Sequence, residues 1–238
     1  MGVRDFFLAG RLRRGPTLFL PYVPDPGAVL ETVRLLNPRA VGGTTQISAG
    51  EKVYLKGPIE ATPDLEVRVG LSRPWRTAYV AFSTATGGGQ KYTPEHVVEG
   101  LARRLHGHAH PGMPHPTGPA ARVYHCAHIP DRRVIELLSG VLPGLEVIEK
   151  EGYDKDDEET FFASPTSPIE IDVWREPDCE DYSLHNRDYP DYPPGLLDLA
   201  ERVAVLLAEE GDGIACEHTF FPLQPGKVSP VLLPDPAE

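Results

Sequence analysis

Two short segments of this 238-residue chain carry metal-ligand chemistry at matched spacing, Cys126-Ala127-His128 and Cys216-Glu217-His218. On a strand, residues i and i+2 share a face. Each segment therefore presents a thiol and an imidazole side by side. If the two strands are neighbours, Cys126, His128, Cys216 and His218 converge as the ligand types of a tetrahedral zinc site. The Cys-x-His spacing is not an established structural zinc pattern. Cysteine is also a common core residue that needs no metal. No cofactor is expected, and zinc is the one alternative these residues suggest.

A second group of imidazoles lies in HGHAHPGMPHP, residues 106–116. Here His106, His108 and His110 alternate among glycines and prolines. No ligand partner follows at helical or knuckle spacing. The composition reads as a linker. A glycine-rich loop at 84–96 has neither the dinucleotide nor the P-loop pattern. Its Thr93-Pro94 pair reads as an N-cap followed by a first helical residue. Cys179, in PDCEDY, is surrounded by carboxylates that suppress the thiolate.

The acidic stretches are the most distinctive chemistry. One contains Asp154, Asp156, Asp157, Glu158 and Glu159. The other interleaves Asp178, Glu180, Asp181, Asp188 and Asp191 with Tyr182, Tyr189 and Tyr192. Carboxylates pair with Lys and Arg of a partner, and tyrosines supply contact area. These thirteen residues form the candidate partner-binding set.

The elements that must hold these groups come in two similar series. YVPDPGAVLETVRLL, from Tyr22, resembles HIPDRRVIELLSGVL, from His128. Pro24 matches Pro130, and Asp25 matches Asp131. TPDLEVRVGLSRPW, from Thr62, resembles TSPIEIDVWREPD, from Thr166, with Glu66 on Glu170. YTPEHVVEGLARRL, from Tyr92, parallels YPPGLLDLAERVAVLL, from Tyr192. Three blocks in one order, about a hundred residues apart, indicate a duplicated unit. In each unit a strand ends at Pro-Asp, and the aspartate is expected to cap a helix. Alternation in LEVRVGL and in IEIDVW reads as strands, and a helix follows at 94–105 and at 194–210. The order β-α-β-β-α-β fits the split βαβ arrangement. The expected fold class is α+β: tandem duplicated ferredoxin-like units with mostly antiparallel sheets and helices on one face. The expected boundaries are 1–105, a linker at 106–121, and 122–238.

Charge separates the two series. Residues 1–118 hold 14 Lys and Arg against 9 Asp and Glu, a net +5, while residues 119–238 hold 9 against 26, a net −17. A field of the second kind repels nucleic acid and membranes and attracts basic partners. No apolar run approaches the ~20 residues that span a bilayer. Three cysteines give no disulfide framework, and a cytoplasmic location is expected. The reading is a non-catalytic module that holds a basic protein partner, in its most concrete form an immunity or antitoxin protein against a nuclease toxin. A metal-dependent enzyme or zinc-binding regulator is the alternative, and a structural or assembly subunit the third.

Overall fold

The computed structural model describes residues 3–25, 27–85, 91–113, 118–148, 159–188 and 193–230. The chain divides into two compact units, Met1–Pro114 and His115–Glu238. The division falls inside the segment expected to be a linker.

The first unit runs α1 (Val3–Arg14), β1 (Thr17–Leu20), α2 (Ala28–Leu36), β2 (Val41–Gly42), β3 (Gln46–Gly50), β4 (Val53–Glu60), α3 (Pro63–Val69), β5 (Thr77–Ser83), α4 (Pro94–Arg104) and β6 (His108–His110). Its sheet has the order β2-β3-β4-β5-β1-β6. Every β1 residue is buried, so both faces of the sheet are covered there. Helices α1 and α3 meet the face carrying Phe19, Ala78 and Val80, around Leu12, Leu65 and Trp75. Helix α4 packs against β1, β5 and β6.

The second unit runs β7 (Ala121–Cys126), α5 (Asp131–Leu138), β8 (Glu146–Ile148), β9 (Glu159–Ala163), β10 (Ile169–Arg175), β11 (Glu180–Asn186), α6 (Leu196–Glu210) and β12 (Ile214–Glu217). Its sheet has the order β12-β7-β11-β10-β9-β8. Ile169, Ile171 and Val173 of β10 are buried while Glu170 and Asp172 stay half-exposed, the alternation read from the sequence. Helix α6 buries Ala200, Val203, Ala204, Leu207 and Ala208, a stripe at helical spacing, in the core of this unit. A bidentate pair, Arg133 Nε and Nη2 to Glu210 at 2.7 and 2.9 Å, ties α5 to α6.

The fold class is α+β, with two six-stranded sheets whose paired strands are all antiparallel. Each strand of the first sheet has its counterpart six strands later in the second, in the same sheet position. Helices α2 and α5, and α4 and α6, occupy the same places in the two chain orders.

Two expectations are corrected here. LEVRVGL is helix α3 and not a strand. Thr62 accepts from the Leu65 N–H, Pro63 opens the helix, and Gly70 closes it in the left-handed region at φ 69°. Leu65 and Val69, one turn apart, are buried. A five-residue alternation is too short to outweigh a cap at each end. The topological counterpart of β10 is therefore β4, and the match of Glu66 to Glu170 pairs a helix with a strand. Within the histidine tract, residues 108–110 form a strand and not a linker: β6 pairs with β1, His108 opposite Phe19 and His110 opposite Thr17. Gly107 permits this approach, since a Cβ there would lie 2.7 Å from the Phe19 carbonyl oxygen. His108 and His110 thus sit on the edge strand of the first sheet.

Candidate functional site

Glu180, at the start of β11, gathers the densest polar cluster among the described residues. Its carboxylate is buried, with the residue 1% exposed. Four donors reach it. The Tyr182 hydroxyl donates to Oε2 at 2.5 Å, and the Ile129 N–H to the same oxygen at 3.2 Å. Arg175 Nε donates to Oε1 at 2.9 Å, and His128 Nδ1 lies 3.0 Å from it. Arg175 extends the network, donating through Nη1 to the Thr160 hydroxyl at 2.7 Å and through Nη2 to Asp131.

Local structure explains the convergence. Glu180 and Tyr182 are i and i+2 on β11, so they share its inner face. Arg175 ends β10 directly opposite Glu180 in the antiparallel register. Strand β7 ends at Cys126, also opposite Glu180 across a register shift, and the chain turns at 127–130 into α5. Asp131, expected as an N-cap, is the first helical residue after Pro130. Its carboxylate serves Arg175 instead.

Electrostatics follow from this geometry. Burial alone would raise the Glu180 pKa, but hydrogen bonds from Tyr182, His128, Arg175 and the Ile129 N–H outweigh it and hold the carboxyl below its usual range. Burial and then the bond to Glu180 push the Tyr182 phenol far up. His128 is raised chiefly by its bond to Glu180 and then by the Pro177 carbonyl, which faces Nε2 at 3.3 Å. Both ring nitrogens thus meet acceptors, which favours the imidazolium. Burial, followed by the charges of Glu180, Asp181 and Cys179, pushes the Cys126 thiol up to about 12. That thiol lies 3.5 Å from the Leu207 carbonyl oxygen, within the range of a weak S–H hydrogen bond. Glu180 with both oxygens engaged is a poor base, and a thiol so shifted is a poor nucleophile.

The four residues of the proposed zinc set do not converge. Strands β7 and β12 are neighbours, as expected, but Cys216 lies opposite Arg122. Cys126 is four residues farther along β7, ~13 Å at strand rise. His128 and His218 lie beyond opposite ends of the strand pair. His128 joins the Glu180 cluster. His218 joins Glu201 of α6 and Glu217, whose ligand-type atoms all lie within 4.8 Å of one another. An antiparallel register sends two Cys-x-His segments in opposite directions, and the spacing alone does not reveal this.

The partner-binding set divides. Glu180 and Tyr182 are buried and therefore do not reach a partner. Asp181 is half-buried and accepts from the His125 N–H at 2.8 Å. Glu159 is half-buried at the start of β9, and Asp178 and Asp188 are exposed. Asp154, Asp156, Asp157, Glu158, Tyr189, Asp191 and Tyr192 lie outside the described residues. Sequence reading missed Arg175 and Asp131 as members of one network. The available signal was their placement at the two strand-end turns that flank Glu180.

Comparison with protein-family models, with curated proteins and with solved structures finds no match for this chain. Among the described residues, no helix is long and apolar enough to cross a membrane.

Proposed function

We propose that the protein is a non-catalytic binding module whose second unit holds a basic protein partner, in its most concrete form an immunity- or antitoxin-type inhibitor of a nuclease. The observation that carries this reading is the charge division, +5 against −17 (14 Lys and Arg with 9 Asp and Glu, then 9 with 26), on either side of the unit boundary. Glu146, Asp178, Asp188, Asp198 and Glu209 are exposed and make no ion pair among the described residues. Such uncompensated carboxylates raise the association rate of a cationic partner. The scaffold for this surface is read as a duplicated ferredoxin-like unit. The matching strand orders and the paired helices support that duplication.

The test pairs capture with function. The protein is immobilised against lysate of its native host and washed through a salt series. A recovered basic protein must then lose its activity when the purified partners are recombined. Neutralising Asp154, Asp156, Asp157, Glu158 and Glu159 is expected to abolish both results. Retention of an acidic protein, or of one insensitive to salt and to these substitutions, refutes the reading. The zinc alternative is separated by metal analysis of untagged protein, with Cys216→Ser and Glu217→Gln as variants. Stoichiometric metal lost in either variant would favour the alternative.

A further inference from the structure

We propose that the first unit binds an amphiphilic organic anion, an apolar body carrying a carboxylate, in the cleft between α1 and the β4–α3 corner. The cleft has a volume of about 620 Å³. That lies within the range of small-molecule sites. Its apolar walls are Phe7 and Leu8 of α1, Pro58 and Ile59 of β4, Leu65 of α3 and Val80 of β5. The polar lining is Arg11, Thr45, Lys56, Glu60 and Thr62.

A backbone irregularity opens this space. Along β4 the register passes from Lys56 opposite Val80 to Ile59 opposite Ala78, so three steps on β4 face two on β5. Such a bulge bends a strand and re-aims its side chains. Gly57 is required at the bend, because a Cβ there would meet Tyr79 Cδ1 at 2.6 Å and the Ala78 carbonyl oxygen at 2.8 Å. The bend leaves Lys56 and Ile59 lining the same cleft, one cationic and one apolar.

The ligand's chemistry follows from what the lining lacks. Arg11 and Lys56 are exposed and make no ion pair or side-chain hydrogen bond among the described residues. Two cations face a single carboxylate, Glu60, so the lining carries a net positive charge. A guanidinium beside apolar walls recognises a carboxylate through two parallel hydrogen bonds. Phe7 is a large aromatic side chain that stays 65% exposed on a helix whose Ala9 and Leu12 are fully docked. An apolar ligand body would cover it. The apolar surface and the unpaired cations thus ask for the two halves of one amphiphile.

Trp75 provides the readout, since it packs in the same cluster as Leu65, Val80, Leu8 and Ile59. The full chain carrying Trp174→Phe has Trp75 as its only tryptophan. It is titrated with decanoate, below the micellar range, and with decanol as the neutral counterpart. Saturable fluorescence change with decanoate, at least about tenfold weaker with decanol, is the expected result. Arg11→Gln and Lys56→Gln should each weaken decanoate by about fivefold, on the scale of one charge-assisted contact at a partly exposed site. Arg34→Gln, at a surface pair with Glu31, should leave it unchanged. The two cleft variants alter exposed side chains, and unchanged melting curves will show that they fold. No saturable change, equal binding of decanol, or indifference to both cleft variants overturns the proposal.

Discussion

Replacing Glu180 by alanine should cost the second unit about 3 to 5 kcal/mol, and the structure shows where that figure arises. The Tyr182 hydroxyl, on a residue 1% exposed, loses its acceptor. An orphaned buried donor costs about 1 to 3 kcal/mol. The Ile129 N–H, also buried, adds about 1. Arg175 keeps Asp131 and Thr160, and its side chain is 28% exposed. Its loss therefore stays near 1 kcal/mol, below the 3 to 5 of a fully buried pair broken on one side. Urea unfolding in a Trp75→Phe background, followed through Trp174 of β10, measures it. The sharper test is the sign of a second substitution. Tyr182→Phe in the parent chain removes a hydrogen bond to a charged group and should cost about 1.5 kcal/mol. In the Glu180→Ala chain the same change removes an orphaned hydroxyl, so it should cost nothing or stabilise. A coupling energy below about 0.5 kcal/mol would refute the claim that Tyr182 is oriented by Glu180.

Three further outcomes follow from the same region. His128 has a folded pKa raised above 6.5 by Glu180 and Pro177. Its contribution should be full below 6.5 and fade as pH rises through the folded value, and His128→Gln should remove that slope from the stability of the second unit. Cys126 and Cys216 are fully buried and Cys179 is half-buried with its pKa raised by burial and Glu176; a thiol reagent should label Cys179 alone in native protein, and slowly. Gly211→Ala should destabilise strongly, because its Cβ would lie 2.1 Å from Cys126 Sγ. Cys126→Ala in the same chain should recover part of the loss in thermal melts, since the Ala127 carbonyl oxygen at 3.0 Å remains.

Much of the fold could be read from periodicity and caps, and the failures have specific causes. Strand β10 was legible because Ile169, Ile171 and Val173 alternate with residues that stay partly wet. Helix α4 was legible from Thr93-Pro94, and the Thr93 N–H indeed donates to His96 Nδ1 at 3.1 Å. Helix α3 was misread because Val67 is 82% exposed. A β-branched residue on the solvent side of a short helix imitates a strand. The histidine strand β6 was missed because glycines and prolines flank three residues whose only strand signal is buried Ala109 between His108 and His110. The Glu180 cluster was half legible. Tyr182 and Glu180 stand out by type, but their inward direction depends on strand phase, and Arg175 is placed by the register of β10 against β11.

Among the described carboxylates of the second unit, Glu180 and Asp178 therefore perform different work. Glu180 is saturated by four donors and fixes the end of the sheet. Asp178, two residues earlier, is exposed and makes no ion pair among the described residues. Burial makes the first expensive to lose and invisible to a partner; exposure makes the second nearly neutral for stability, while its field still acts over a Debye length of about 8 to 10 Å. Once a basic partner is in hand, Asp178→Asn together with Asp188→Asn should slow association and flatten its salt dependence at unchanged urea midpoint. Glu180→Ala, measured well below its own unfolding transition, should lower the midpoint and leave the association rate within about twofold, because a buried charge contributes little to steering. If the exposed pair instead sets stability, or the loss of Glu180 sets the on-rate, the acidic surface is not the element that recruits the partner.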